Sequence, residues 1–366
     1  MKEELSAIDL HYLEKELQIL IGAKIDQIYE KNAVFTFRFH KTSIGKKTLK
    51  IKSNVLFLTE YKEEFPENPP GYCTFLRKRL KNARIKSLKQ KSFERILEII
   101  FEAKESELIL IVELFSKGNL LLCEEDYTII SPFKSQNWKD RTIRGRVKYE
   151  FPPSQTNTPK LSDEDFLQKI AASNKDSIVK TLAIDFGFGG LYSEEICFAA
   201  KIDKTKKKFS KEELKRILKE AKELFSKKIK ANICENELLP FELKILQTKK
   251  KIFYESFNQA IDEELTTNKI TELKSEEKKH KEGKKDKLKL ILEQQTEKIN
   301  GLETSALENQ RKGEFIYENY SVLKDILVQL NFAKEKFSWK EIKEKLKGHK
   351  IIKDVNEKER KVTVNL

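Results

Sequence analysis

The chain has 366 residues, with 73 Lys and Arg against 59 Asp and Glu, for a formal net charge of +14. At roughly 100–200 residues per domain, two or three domains are expected. Charged residues make up 36% and hydrophobic residues 39%, which is too polar for one tight sphere. The 23 Phe and 10 Tyr still supply cores, so an elongated, partly helical, surface-rich protein is expected. The opening MKEELSAIDL lacks the apolar core of a secretory signal, and no apolar run of about 18 residues could cross a membrane. Cys73, Cys123, Cys197 and Cys234, like His11, His40, His280 and His349, are scattered. No metal site or cofactor is therefore expected, and a reducing cytoplasm is the expected setting.

The fold expected is α+β. Residues 1–155 form an antiparallel β-rich lobe with helices, 161–270 a helical domain, 271–312 one coiled-coil helix, and 313–366 a small α/β tip. Ser6 and Asp9 have capping-box spacing before a helix whose face is Leu10, Leu13, Leu17, Leu20 and Ile21, with Gly22 as its stop. Strands at 24–29, 34–39, 48–51 and 55–58 suggest a meander. Pro69-Pro70-Gly71 starts a short helix, and strands at 96–101, 108–114 and 120–123 follow, the last two joined by a turn at Gly118-Asn119. Cys73 and Cys123 read as buried packing residues.

The Pro- and Thr-rich stretch 152–159 is a linker. Residues 182–191 hold Gly187, Gly189 and Gly190 between helical segments. That glycine turn is either a helix C-cap or a place where backbone amides meet a phosphate. Helical periodicity marks 210–225 and 239–265. Lys274 to Lys287 carries seven Lys and four acids. From Leu288 to Asn309 apolar positions alternate spacings of four and three, the seam of a coiled coil without a partner in view. Gly313 is expected to end that helix. Two short helices (317–330 and 339–346) and a closing hairpin (351–352 with 362–366) complete the chain.

Positive charge concentrates in two places. Nine basic residues and one acid, Glu94, lie between Arg77 and Arg95. Six basic residues, among them Lys134, Lys139, Arg141, Arg144 and Arg146, lie between Lys134 and Lys148. Such runs point to an anionic partner, with nucleic acid first, although a charge run is equally a solvated face.

These pieces resemble the NFACT family, the NEMF- and RqcH-type factors of ribosome-associated quality control, whose N-terminal region is also called fibronectin-binding protein A-like. The residues that carry the resemblance are Ser6-x-x-Asp9; Gly22 to Tyr29; Pro69-Pro70-Gly71-Tyr72-Cys73 with Leu76-Arg77-Lys78-Arg79-Leu80; and Gln90 to Ile96. Glu113 with Gly118-Asn119, Arg141 with Gly145, Tyr149 and Pro152, Gly189 to Glu195, Phe257 to Asp262, Gly313 to Asn319 and Trp339 follow in family order. Glu94-Arg95 stands where the family pattern has Asp-Arg.

The resemblance implies a DNA-glycosylase-like lobe, a helix-hairpin-helix domain and a coiled-coil arm. It implies partners in tRNA and in the large ribosomal subunit carrying an obstructed peptidyl-tRNA, with C-terminal tailing of the stalled chain supported and no catalysis by the protein. On this basis Asp9, Glu94 and Arg95 contact tRNA, supported by Arg77, Lys78, Arg79, Arg144 and Arg146. Without the resemblance Asp9 is a capping residue and Glu94-Arg95 a surface ion pair. The chain stops before the returning helix the resemblance implies, which leaves the seam open to a second copy. The alternative is a DNA-binding or repair protein related to formamidopyrimidine-type glycosylases; Lys2 stands where their nucleophilic proline would be.

Overall fold

The structure is a computed structural model. It describes residues 4–365 apart from 105, 139–140, 153–155, 358 and 360, and of residues 267–287 it describes the backbone alone. Lys2, Lys139, part of the 152–159 linker and the side chains of Lys274 to Lys287 lie outside the described residues. The chain divides into two units, residues 1–271 and 272–366.

In the first unit, α1 (Ala7–Leu17) precedes the antiparallel strands β1 (Lys24–Lys31), β2 (Val34–Lys41), β3 (Gly45–Lys52) and β4 (Val55–Thr59). After α2 (Gly71–Arg79) come β5 (Arg84–Gln90), β6 (Ile96–Glu102), β7 (Glu107–Glu113), β8 (Asn119–Glu124) and β9 (Ile129–Pro132). The nine strands run in the order β4-β3-β2-β1-β5-β6-β7-β8-β9. The register joins β1 to β5 at one pair, Lys24 with Arg84, so the sheet folds over at that seam. The two halves then face each other. Asn54 donates to the Ser116 carbonyl at 3.0 Å, and the Phe35 and Phe133 rings meet at 4.9 Å. Gly118, at φ 62°, lies so close that a Cβ there would come within 2.3 Å of the Ser53 carbonyl oxygen, which reserves the position for glycine.

The inward residues of both halves, among them Phe35, Phe37, Phe39, Ile99, Phe101, Leu110 and Leu122, share one core. The outer face of β7 and β8 is covered as well. Ile109, Ile111, Leu121 and Cys123 pack under Ile143 and Tyr149. Burial on both faces is why these strands read as unbroken apolar runs.

β5 was not expected. Its sequence, RIKSLKQ, reads as part of a basic run, yet Ile85 and Leu88 are buried and Arg84, Lys86 and Lys89 point outward. A bulge between Ile85 and Ser87 breaks the strict alternation that would have revealed it. The chain beyond β9 adds a small hairpin, β10 (Gln136–Asn137) with β11 (Thr142–Ile143).

Among the described residues, those from 158 to 266 share the core of the first lobe instead of forming one of their own. After α3 (Asp163–Ala172), α4 (Ile178–Lys180) and a wide turn at Thr181–Asp185 come α5 (Gly189–Ala199) and α6 (Lys211–Ser226). Their Phe166, Phe186, Tyr192, Ile196, Ile217 and Leu224 join the same cluster as α1. α1 is buried nearly all round and binds a neighbour at each turn. Tyr12 donates to the Leu224 carbonyl at 2.6 Å, and Gln18 donates to Leu88 of β5 at 3.0 Å.

The helix expected over 239–265 is replaced over its first half by a three-stranded sheet, β12 (Asn232–Cys234), β13 (Glu237–Leu239) and β14 (Lys251–Phe253), in the order β13-β12-β14. The helix proper, α7 (Phe257–Glu318), starts where Glu16 of α1 accepts the backbone N–H groups of Phe257 (2.9 Å) and Asn258 (2.7 Å). Asn258 also bonds both the N–H and the carbonyl of Leu58 at the sheet edge.

In the second unit α7 continues past Gly313 to Glu318, correcting the expected stop. One glycine costs a helix only about 1 kcal/mol, and Gly313 lacks the positive φ of a C-cap. α8 (Tyr320–Lys336), α9 (Trp339–Lys345) and the hairpin β15 (Ile352–Asn356) with β16 (Lys361–Val364) enclose a small core of Ile326, Leu330, Ile342, Ile352 and Val355. Leu288, Leu292, Ile299 and Leu302 of α7 are exposed. Among the described residues no helix is long and apolar enough to cross a membrane.

His11 gives the α1 interface a pH dependence. Its ring lies edge-on to Tyr12 and Phe225, at 5.5 Å from each. Burial, reinforced by Lys15, pushes the imidazole down to about 4. The unfolded chain therefore takes up a proton near pH 6.5 that the folded chain refuses until about pH 4, and stability falls as pH drops through that window. Urea midpoints measured across it should fall more steeply for the parent than for His11→Phe; superposable profiles would exclude this source.

Candidate functional site

Where the N-terminus of α1 meets the β5–β6 turn, the first unit has an open cleft of about 400 Å³. Ser6, Ala7, Phe93, Glu94, Arg95, Phe115, Pro152, Ala183, Gly187 and Gly189 line it. Five separate segments contribute. Ser6 caps α1: its hydroxyl accepts the Asp9 N–H at 3.1 Å, and the Asp9 carboxylate accepts the Ser6 N–H at 2.8 Å. The turn carrying Glu94 and Arg95 is closed by bonds from Lys91 to Ile96 and from Glu94 to Lys91, both 2.9 Å. Gln90 pins that turn to α1, its amide donating to the carbonyls of Ala7 and Glu94, each at 2.9 Å. Gly187 and Gly189 both have φ of 75°, a left-handed bend that glycine adopts freely. The bend turns the chain into α5, whose N-terminus has no side-chain cap.

Glu94 and Arg95 thus face the N-terminus of α1 and the glycine bend across one space. Asp9 belongs to the site from beneath. It is 0% exposed, and its second oxygen accepts the Tyr192 hydroxyl of α5 at 2.7 Å. Spacing alone gives no sign of this burial. Burial, strengthened by the Asp9 charge, holds the Tyr192 phenol protonated, well above its usual range. Arg95 is one-third exposed and donates to Glu4 at 2.8 Å; Glu4 in turn accepts from Asn54 at 2.7 Å.

The expected supporting cations are not in this lining. Arg77 is half-buried on α2, donating to the Ile28 carbonyl at 2.6 Å beside the Tyr29 ring. Lys78 and Arg79 are exposed farther along α2. Arg144 and Arg146 are exposed on the turn after β11. Gly190 lies in the first turn of α5 behind the bend. Arg141 leaves the surface cluster altogether. It is 9% exposed and pairs at 2.8 Å with Glu113, itself 2% exposed, which also accepts the Tyr149 hydroxyl at 2.8 Å. The sequence places Glu113, Arg141 and Tyr149 in one pattern but gives no sign that they meet. Glu4, Phe93 and Phe115 carried no signal at all. Among the described residues no group of His, Cys, Asp and Glu could hold a metal ion.

The family described as NFACT N-terminal and middle domains matches residues 6–365. The chain is 31% identical over 392 aligned residues to the archaeal Rqc2 homolog aRqcH of Methanocaldococcus jannaschii, covering 100% of this chain and 58% of that protein. With the ribosome quality control complex subunit NEMF of Homo sapiens it shares 29% over 187 residues, 49% of this chain and 17% of that protein. The chain thus spans less than two-thirds of the length of either relative. The N-terminal part of the fibronectin/fibrinogen-binding protein from Streptococcus suis superposes with a TM-score of 0.61 at 22% identity, over 72% of this chain and 100% of that chain. The fibrinogen binding protein from Staphylococcus aureus gives 0.59 at 22%, over 70% and 97%. These two likenesses concern the fold, a mixed α+β lobe on a large antiparallel sheet.

The buried Asp9–Tyr192 bond yields a stability prediction. Asp9→Ala removes a helix cap and orphans a buried hydroxyl, and should cost about 2–4 kcal/mol in urea denaturation. Tyr192→Phe should cost about 1–2 kcal/mol, and the double variant less than the sum, because the two side chains share one interaction. Additive losses would show that the bond does not couple them.

Proposed function

The chain belongs to the NFACT family, and from that premise we propose that it is an RNA-binding factor of ribosome-associated quality control. In this reading it binds tRNA and the large ribosomal subunit carrying an obstructed peptidyl-tRNA, supports C-terminal tailing of the stalled chain, and works in the cytoplasm. The relatives' names supply the process. The observation that supports the RNA contact is the convergence of Glu94, Arg95, the α1 N-terminus and the glycine bend on one cleft.

The chemistry suits positioning. The guanidinium of Arg95 offers a planar fork to a phosphate or a base, and the Glu94 carboxylate can accept from base amino groups. Glu94 keeps the charge of the family's Asp on a side chain one methylene longer. The uncapped start of α5 offers backbone amides to phosphate, the role expected of a helix-hairpin-helix unit. Asp9 acts as a positioning residue. Arg77, Lys78, Arg79, Arg144 and Arg146 add long-range attraction to RNA from outside the cleft. No covalent step is assigned to the protein. The exposed seam of α7 is read as one strand of a coiled coil, which a second copy could complete.

The test is tRNA binding by the full chain at several salt concentrations. Arg95→Ala should weaken affinity about tenfold and reduce the slope of log affinity against log salt by somewhat less than one. It should leave the melting temperature within about 2 °C of the parent, since its pair with Glu4 is exposed. Unchanged affinity would remove Arg95 from the interface. Cleavage of abasic DNA by the purified protein would instead support the glycosylase-related alternative.

A further inference from the structure

We propose that Trp138 is a stacking platform for one unpaired RNA base beside the cleft, an inference that rests on the RNA-binding reading. Trp138 is 40% exposed and follows β10, its N–H bonded to the Arg141 carbonyl at 2.9 Å. The Arg141 guanidinium lies 4.5 Å from its ring centroid. That cation is immobilised by its buried pair with Glu113, and Glu113 is held in turn by the Tyr149 hydroxyl. The same guanidinium is 5.5 Å from the ring of Phe115, which lines the cleft.

Covering Arg141 takes one face of the indole, and two-fifths of the residue remains exposed. An indole braced by a fixed cation loses little conformational entropy when a second flat ring settles on it. The neighbourhood favours RNA as the source of that ring: Arg144 and Arg146 are exposed a few residues on, in an acid-poor run. Sequence-specific RNA binding takes unpaired bases, which stack on aromatic side chains. Stacking is sequence-tolerant, because every base has a flat face.

The chain has two Trp residues, so Trp339→Phe makes Trp138 the sole indole fluorophore in the otherwise intact protein. The probes are a hairpin RNA with an unpaired loop, a duplex with a single-stranded 3′ tail, a blunt duplex, and a tRNA transcript. Trp138 emission should fall on titration with tRNA and with the hairpin or the tailed duplex, and the responding probe tells a loop base from a terminal one. It should stay constant with the blunt duplex.

Trp138→Ala should weaken tRNA binding about 5- to 100-fold without altering the salt slope, and Trp138→Phe should recover most of the loss. Arg144→Ala, by contrast, should lower the slope. If the Trp339→Phe protein binds tRNA while Trp138 emission does not move, the inference is wrong and the RNA-binding reading stands. Equal quenching by the blunt duplex overturns it too. Failure of the parent to bind any of the RNAs overturns both.

Discussion

A carboxylate with no access to water organises the first unit. Asp9 accepts the Ser6 N–H with one oxygen and the Tyr192 hydroxyl with the other, so a single side chain sets where α1 begins and how α5 lies against it. Leaving a buried carboxylate oxygen without a partner costs free energy, and Asp9 avoids that cost by bonding both helices at once. The cleft is a consequence. Its floor is the α1 N-terminus that Asp9 caps, and one of its walls is the glycine bend leading into the helix that carries Tyr192.

α1 extends the same logic along its length. Tyr12 bonds α6, Glu16 caps the start of α7, and Gln18 bonds β5. A helix used on every face cannot show a clean amphipathic stripe. Its sequence nevertheless announced it, through the Ser6–Asp9 cap and the Leu spacing. The hydroxyl that Asp9 meets lies 183 positions away, which no local pattern encodes. For the same reason β5 was hidden: its basic residues face solvent, and the bulge shifts its two core residues out of strict alternation. The heptad spacing along α7 was legible, but the passage through Gly313 was not, since a glycine signals a stop only when its φ turns positive. Among the cleft residues, motif order points to Glu94 and Arg95 and the glycine turn to Gly187 and Gly189, whereas Arg141 reads as a surface cation because charge counting cannot see that Glu113 is buried beside it.

The cleft is less cationic than the composition suggests. Arg95 shares its space with Glu94 and is paired with Glu4. That pairing does not block an RNA contact. With side-chain exposures of 33% and 54%, the pair contributes no more than about 1 kcal/mol, so a phosphate that offers two oxygens to the guanidinium can displace Glu4 at little cost. Glu4 holds the arginine poised at the rim without consuming its binding capacity.

Among the described residues, burial removes more acids than bases from the surface of a chain that is already basic. Among the described residues Asp9, Glu30, Glu113, Glu195 and Asp262 are buried, against Lys50 and Arg141. Several of these acids are structural clamps. Glu195 accepts the backbone N–H groups of Lys244 and Ile245, both at 2.9 Å, and Glu113 locks Arg141 beneath Trp138. Carboxylates suit this work because they accept from two backbone amides at once, which lysine and arginine cannot do. Acids drawn inward to tie distant segments together leave the outside richer in cations than the net charge of +14 implies. These buried acceptors serve stability, and the cations left outside are the ones on which the proposed RNA contact draws.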